Sequence, residues 1–442
     1  MRKQTMPNEY TPNNRPNFGP IAVALSGGVD STAALLRLMA AGLPLLGISA
    51  DLHEAARDNE GADHAGALCA RLGIPFHRVD LREPFRRRVV EPFIAEYLAG
   101  RTPNPCVQCN AHIKFGLLLD AAVELGAAKL ATGHYARLEQ SPCACPYLLM
   151  AADRHKDQSY VLHQLSRGQL ARALFPNGEH TRADNEALVA AKLPGLPPAR
   201  QSQDACFLSG VDYTDWLAAM TPRPAAPGPI VDTSGQVIGE HSGLWGYTVG
   251  QRKGLGIGGP GGRRFVLYVD MPRNRLVVGD EQDLWVRWCA VSDVNLIGCG
   301  SPGHSGSSLP SHPRSSGDAL PPESAAGCAR RQAHGPRRTV VSSVTGPVTW
   351  TAVTPVTSQD EPRPPAGETF ECQVMTRYNG RLVPARVTLH QAGAHVEFLE
   401  PARAPTPGQS AVFYRGERCL GGGIIGASEL TDRYGGPDWS KE

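Results

Sequence analysis

Six residues, Ser26-Gly27-Gly28-Val29-Asp30-Ser31, limit what this chain can fold into more than any other stretch. They join a short apolar run, Ile21 to Leu25, to a segment of helical period from Thr32 to Ala41 in which Leu35, Leu38 and Met39 share one face and Gly42 marks the stop. Paired glycines let the backbone come close to a phosphate. The N–H groups opening the next helix then point at the anion, and the helix dipole favours it. Ser26 and Ser31 add hydroxyl donors, and Asp30 is a candidate ligand for Mg²⁺. The loop lacks the G-x-x-x-x-G-K-S/T spacing, so it is not of the kinase and GTPase type.

The same alternation continues downstream. Leu45–Ala50, Pro75–Leu81 and Lys129–Thr132 read as strands, and Ala62–Leu72 and Ile113–Leu125 as helices closed by Gly73 and Gly126. Strands alternating with helices of this length predict a parallel sheet covered on both faces, in a domain spanning 20–215. The texture then changes. Short β-like runs (Pro229–Val231, Phe265–Val269, Leu276–Val278) predict a small β-rich module over 216–283. Trp285–Ile297 and Phe370–Ile425 predict a C-terminal β-barrel over 284–430. Residues 1–19 read as a disordered tail. Of the 28 residues 300–327, 18 are Gly, Ser or Pro, too few apolar groups to offset chain entropy, so 299–367 reads as a disordered insertion in the barrel.

With 442 residues and 41% hydrophobic residues the chain can build several cores. A net charge of +2 means that a nucleic-acid partner would be held by local basic patches. Arg86–Arg88 reads as a solvated helix face, and Arg330, Arg331, Arg337 and Arg338 as a solvated loop. No signal-peptide core and no membrane-length apolar run is visible, which predicts a soluble, cytoplasmic protein. Eleven cysteines, an odd number, are not a secreted disulfide framework. Two stand out. Cys109 lies in R-T-P-N-P-C-V-Q-C-N (Arg101–Asn110), a Pro- and Asn-shaped loop before a helix near Ala111, where a lowered thiol pKa is expected. Cys206 lies in S-Q-D-A-C-F (Ser202–Phe207). Cys143 and Cys145, in a Pro-rich turn, read as incidental or as a labile pair.

The loop Ser26–Ser31 resembles that of the ATP-pyrophosphatases, the adenine nucleotide alpha hydrolase-like enzymes that put AMP on a substrate oxygen. The Arg101–Asn110 and Ser202–Phe207 segments narrow the resemblance. So do T-G-H-Y (Thr132–Tyr135), K-D-Q-S-Y (Lys156–Tyr160), G-Q-R-K-G-L-G-I-G-G (Gly250–Gly259), T-R-Y (Thr376–Tyr378), T-P-G-Q-S-A-V-F-Y (Thr406–Tyr414) and C-L-G-G-G-I-I (Cys419–Ile425). Together they resemble the tRNA-specific 2-thiouridylases over nearly the whole chain. The resemblance implies adenylation of the wobble uridine O2 by ATP and Mg²⁺, then sulfur transfer from a persulfide on Cys206, with Cys109 as base or disulfide-forming partner. It implies ATP contacts from Ala24, Leu25, Ser26, Gly27, Gly28, Val29, Asp30, Ser31, Ala50 and Gly133, and a target-base pocket from Asn104, Pro105 and Cys106. It implies tRNA contacts, on the anticodon arm, from His134, Lys156, Asp157, Gln158, Arg377, Tyr378 and Gln409. A cysteine desulfurase or sulfur-relay protein would supply the persulfide.

Two positions depart from the family pattern. Ala50 stands where some members carry Met, and Cys106 where some carry Asp, which creates Cys106-x-x-Cys109. Three readings of that pair stay open: pocket lining beside a catalytic Cys109, an iron–sulfur cluster on Cys106, Cys109 and Cys206 with one open iron site, or zinc with His112 as a further ligand. An amide-forming ligase of the same loop type would need an ammonia source and no Cys206. A non-catalytic RNA-binding protein would need neither cysteine.

Overall fold

The structure is a computed structural model and describes residues 19–53, 56–140, 146–194, 205–208, 210–221, 225–257, 262–297 and 367–435. The tail 1–18, residues 299–366 of the expected insertion and its arginine cluster, Cys143–Cys145 and Ser202–Asp204 lie outside these residues.

The N-terminal part contains β1 (Ile21–Ala24), β2 (Leu45–Asp51), β3 (Phe76–Asp80), β4 (Lys129–Ala131), a hairpin of β5 (Ala136–Glu139) and β6 (Tyr147–Met150), and β7 (Ala173–Leu174). Five of these form a parallel sheet in the order β3-β2-β1-β4-β7. Ile21, Ala22 and Val23 are all buried, as a continuous apolar run must be when helices cover both faces. The helix Val29–Ala40 packs Ala33, Leu35, Leu36 and Leu38 on one side of the sheet, and Gly42, at φ +71°, terminates it. On the other side Phe85, Phe93, Ile113, Phe115 and Leu119 build the larger core. Arg86 and Arg87 pair with Glu83 at the surface, as a solvated face should.

The chain order reverses between β1 and β4, with β2 and β3 on one side and β7 on the other. In an open parallel sheet that switch point opens a crevice at the carboxyl ends of the strands.

The middle module is a four-stranded sheet of β8 (Gly228–Val231), β9 (Val237–His241), β10 (Phe265–Asp270) and β11 (Arg275–Gly279), in the order β10-β11-β8-β9. Its own core includes Ile230, Val266, Leu276 and Val278. Next come β12 (Trp285–Leu296), β13 (Thr369–Met375), β14 (Val383–His390), β15 (Gly393–Arg403), β16 (Ser410–Arg415) and β17 (Arg418–Ser428). They run β12-β15-β14-β13-β16-β17, and β17 pairs back on β12, closing a six-stranded barrel with no free edge. Alternation along β14 puts Val383, Ala385, Val387 and Leu389 inside.

A strand pairing crosses the expected domain boundary. Before it meets β12, β17 pairs with β6 at Arg418↔Leu149 and Cys419↔Leu148, so the β5–β6 hairpin extends the barrel sheet. Met150 N donates to Glu417 O at 2.9 Å, and Arg137 and Arg154 both pair with the Glu417 carboxylate.

Candidate active site

The loop after β1 and the loop after β4 face each other across the switch point. Gly27 has φ +74°, and a Cβ there would lie 2.6 Å from Gly61 O. Gly61 itself has no room, since its Cβ would lie 2.8 Å from Ser26 O. A glycine inside the helix Ala56–Leu72 is therefore what lets the loop sit down; the sequence reading began this helix at Ala62 and so left Gly61 outside it. Ser31 Oγ donates to Gly28 O at 3.0 Å and accepts from Ser26 N at 3.3 Å, which closes the loop on itself. Gly28 is the N-cap of the helix Val29–Ala40 and no side chain caps it, which leaves first-turn N–H groups for an outside acceptor. Across it, a Cβ on Gly133 would lie 2.7 Å from Asp30 C and Ser31 N, so the two loops touch backbone to backbone. Ala24 ends β1, Leu25 is buried behind the loop, and Ala50 sits near the end of β2. The structure thus brings the expected ATP residues to one crevice.

Asp30 also has internal partners. Its carboxylate accepts from Tyr135 Oη, from Arg182 Nη1 at 2.6 Å and from Asn185 Nδ2 at 3.1 Å. Through these three donors, one of them a guanidinium, Asp30 also holds the loop in place. Arg182 and Asn185 carried no sequence signal, because they meet Asp30 only through the fold.

The cysteine segment also differs from expectation. A short helix, Pro105–Gln108, starts at Asn104, whose side chain accepts from Cys106 N at 3.1 Å, with Pro at the first helical position. It continues through a wide-turned stretch, Cys109–Leu118, broken at Gly116 (φ −95°, ψ −105°), into Leu119–Glu124. Cys109 therefore lies inside a helical rod and not in a loop before one. It is 7% exposed, and burial, opposed by Lys114 and reinforced by Cys106, pushes its thiol up to about 11. The direction is opposite to the lowered pKa expected at a helix N-terminus, because burial disfavours the thiolate. Cys106 and Cys206 are exposed, and Cys206 opens the short turn Cys206–Leu208, whose Phe207 and Leu208 share the large core with Cys109.

Among the described residues no three His, Cys, Asp or Glu side chains stand together as a metal site. Cys106, Cys109 and Cys206 are all described, so this arrangement does not fit the three-cysteine cluster or the zinc site.

The Cys loop is gripped from two other domains. Thr102 N donates to Pro407 O at 2.8 Å, Gln409 Nε2 donates to Thr102 O at 2.8 Å, and Thr102 Oγ1 meets Thr248 Oγ1 at 3.1 Å. Gly408, at φ +89°, has space for no side chain, its Cβ position being 2.8 Å from Thr102 N. Beside this junction opens a groove of ≈ 630 Å³ lined by residues including Tyr213, Gln251, Lys253 and Arg377.

The expected tRNA residues divide. Tyr378 is exposed and close enough to Cys106 to feel its charge, and Lys156 is half-buried. Arg377 donates to Arg403 O at 2.9 Å while facing the groove. His134 is buried against Phe115 and Phe175, its Nδ1 2.8 Å from Thr132 Oγ1; burial and then Lys114 keep it neutral, well below the ordinary imidazole range. Asp157 is buried and accepts from Ala151 N at 2.7 Å and Ser159 Oγ at 2.7 Å; Gln158 Oε1 accepts from Tyr135 N at 3.0 Å. These three side chains are internal ties in this structure.

A parallel sheet with a glycine-rich loop at its switch point, joined to a β-rich module and a closed barrel and carrying two conspicuous cysteines, defines a multidomain nucleotide-dependent enzyme of the HUP class. Residues 20–210 match the family described as the tRNA methyl transferase HUP domain, residues 215–280 its PRC-barrel domain, and residues 350–425 the aminomethyltransferase beta-barrel domain. The chain is 38% identical over 420 residues to the tRNA-specific 2-thiouridylase MnmA of Chloroflexus aggregans, covering 93% of this chain and 99% of that one. It is 39% identical over 413 residues to the MnmA of Nitratidesulfovibrio vulgaris, covering 92% and 98%. The chain belongs to the tRNA-specific 2-thiouridylase family, and is a tRNA sulfurtransferase. Among solved structures it matches the U34-tRNA thiolase NcsA from Methanococcus maripaludis with its [4Fe-4S] cluster, at 23% identity over 48% of this chain and 71% of that one, with a TM-score of 0.29.

Proposed function

We propose that the enzyme thiolates C2 of the wobble uridine in two steps. In the first, ATP lies across the switch point with its phosphates on the Ser26–Ser31 loop. The uridine O2 attacks the α-phosphorus and pyrophosphate leaves. Mg²⁺ would ride on the phosphates of the nucleotide, beside the Asp30 carboxylate that Tyr135, Arg182 and Asn185 hold in place. In the second step the terminal sulfur of a Cys206 persulfide attacks the activated C2. The Cys109 thiolate attacks Cys206 Sγ, forming a Cys109–Cys206 disulfide. The electron pair of the broken S–S bond passes to the sulfur now on C2, and AMP departs with the former O2. A dithiol reductant of the cytosol then returns both thiols, and a persulfide-carrying protein reloads the exposed Cys206.

Within this reading Asn104, Pro105 and Cys106 line the pocket for the flipped base. Lys156, Tyr378 and Arg377 meet the anticodon arm from the groove side, with Gln409 acting next to them. The observation that carries the reading is the backbone contact of Gly133 with the Ser26–Ser31 loop, which builds an anion cradle at the one place where a parallel sheet opens.

The test is an anaerobic assay of purified protein with tRNA, ATP–Mg²⁺ and a sulfide source, with and without reconstituted iron, reading AMP and 2-thiouridine. Product from iron-free protein that is lost in Cys206→Ser, with AMP retained, supports the persulfide route. Product formed only after iron loading would replace it with a cluster-borne sulfur.

A further inference from the structure

From within, the phosphate loop is held by short ties alone: two of its residues are glycines, one at positive φ, and Ser31 Oγ bonds Ser26 N, Gly28 O and the Ser26 hydroxyl. A further tie comes from a third loop, the one after β7. Asn177 sits there, fully buried at 0% exposure. Its side-chain amide has two N–H groups and both are used: Nδ2 donates to Asp30 O at 2.9 Å and to Gly133 O at 3.0 Å. One NH₂ thus ties the loop after β1 to the loop after β4, from behind the crevice. The turn cannot swing away, because Gly178 packs so tightly that a Cβ there would lie 2.8 Å from Ala136 C, and Ala152 N donates to Gly178 O at 2.9 Å.

The helix that follows, Arg182–Lys192, completes the grip. It starts at Thr181, whose side chain takes part in a capping box with Asp184. From its first turns Arg182 and Asn185 hold the Asp30 carboxylate, and Asn185 also donates to Tyr135 Oη at 2.8 Å. Asn185 Oδ1 accepts from Arg37 Nη2 at 2.8 Å, which anchors the far side of the helix Val29–Ala40. Backbone and side chain of Asp30 are therefore held by one connected element, the segment 177–185.

We propose that Asn177 is a positioning residue for ATP, with Arg182 and Asn185 as its supports: it sets the separation of the two phosphate-facing loops by bridging Asp30 O and Gly133 O. None of the three touches the nucleotide. They act through the place of the loop N–H groups, and an error of about 1 Å there is enough to weaken phosphate binding and slow adenylation. This rests on the Ser26–Ser31 loop being the phosphate site.

The experiment compares the full chain with Asn177→Ala, Asn177→Asp and Arg182→Gln. It measures AMP formation against ATP and against tRNA concentration, with thermal unfolding alongside. Losing both donors in Asn177→Ala should raise the KM for ATP about tenfold or more and lower kcat, with the KM for tRNA unchanged. Asn177→Asp keeps the shape but turns donors into an acceptor facing two carbonyls. Its activity should fall below that of the Ala variant at pH 8 and recover as pH falls, because a protonated carboxyl regains one donor. Arg182→Gln should raise the ATP KM with tRNA KM unchanged. Loss of stability with both KM values unchanged, or a pH profile of Asn177→Asp parallel to that of the parent, would overturn the proposal. A parent protein that forms no AMP while Gly133→Ala leaves ATP binding intact would instead remove the phosphate-loop reading beneath it.

Discussion

Burial of Cys109 makes a quantitative prediction about its reactivity. The thiol stands at about 11 where an unperturbed cysteine would stand at 9.0. At pH 7.5 its thiolate fraction is then about a hundredfold smaller than that of an unperturbed thiol, or about 2.7 kcal/mol at 1.36 kcal/mol per pKa unit. Iodoacetamide reacts with the thiolate, so Cys109 in the free enzyme should alkylate at least about a hundredfold more slowly than a thiol of ordinary pKa, and exposed Cys106 and Cys206 provide internal comparisons free of its burial. Time courses read peptide by peptide by mass spectrometry between pH 7 and 9 give the rates. The Cys109 rate should rise about tenfold per pH unit throughout that range with no plateau, because the raised pKa lies above it. Alkylation of Cys109 as fast as Cys106, or a plateau below pH 9, would refute the argument that desolvation dominates at this position. The sign also fixes a stability effect. A thiol whose folded pKa exceeds its unfolded one stabilises the fold fully below about pH 9, and that contribution is lost as pH rises towards 11. Cys69, also pushed up to about 11 by burial, adds to the same window, so the labelling rate and not the melting curve isolates Cys109.

Three further outcomes are expected. Gly133→Ala places a Cβ 2.7 Å from Asp30 C and Ser31 N, backbone atoms that cannot rotate away, so AMP formation should fall at least about tenfold and stability by about 1–3 kcal/mol, read by AMP assay and thermal unfolding. Gln409→Ala removes the donor to Thr102 O and should speed Cys109 alkylation several-fold while leaving AMP formation from bound substrate within about twofold; an unchanged labelling rate would separate Gln409 from the cysteine loop. Glu417→Gln weakens the ties of Arg137 and Arg154 to the barrel, and as exposed pairs they should contribute no more than about 1 kcal/mol, checked by urea unfolding.

Much of the architecture was legible in local pattern. The apolar run before Ser26, the helix face of Leu35 and Leu38, and the Gly stops at 42, 73 and 126 are short-range features, and the strands and helices appear where they point. The glycine-rich turn Ser26–Ser31 was readable for the same reason: its residues are consecutive. The helix through Cys109 was misread because Pro103 and Pro105 look like loop residues, whereas Pro105 begins the helix at its first position. The internal roles of His134, Asp157 and Gln158 were hidden, since a polar residue in a motif carries no mark of whether it faces solvent or a buried donor.

By itself, then, the sequence determined the parallel-sheet unit, the β-rich remainder, the glycine-rich loop after β1 and the place of the two cysteine segments along the chain, because each follows from propensity, periodicity or chemistry within a few neighbouring residues. Only the tertiary structure decided that Asp30 is held by Tyr135, Arg182 and Asn185, that Asn177 bridges two loops, that Cys109 is desolvated, and that the β5–β6 hairpin joins the barrel through Cys419↔Leu148. Those contacts link residues about 40 to 270 positions apart. Their energy comes from burial and pairing that exist only once distant segments have been brought together, so no local stretch of chain encodes them.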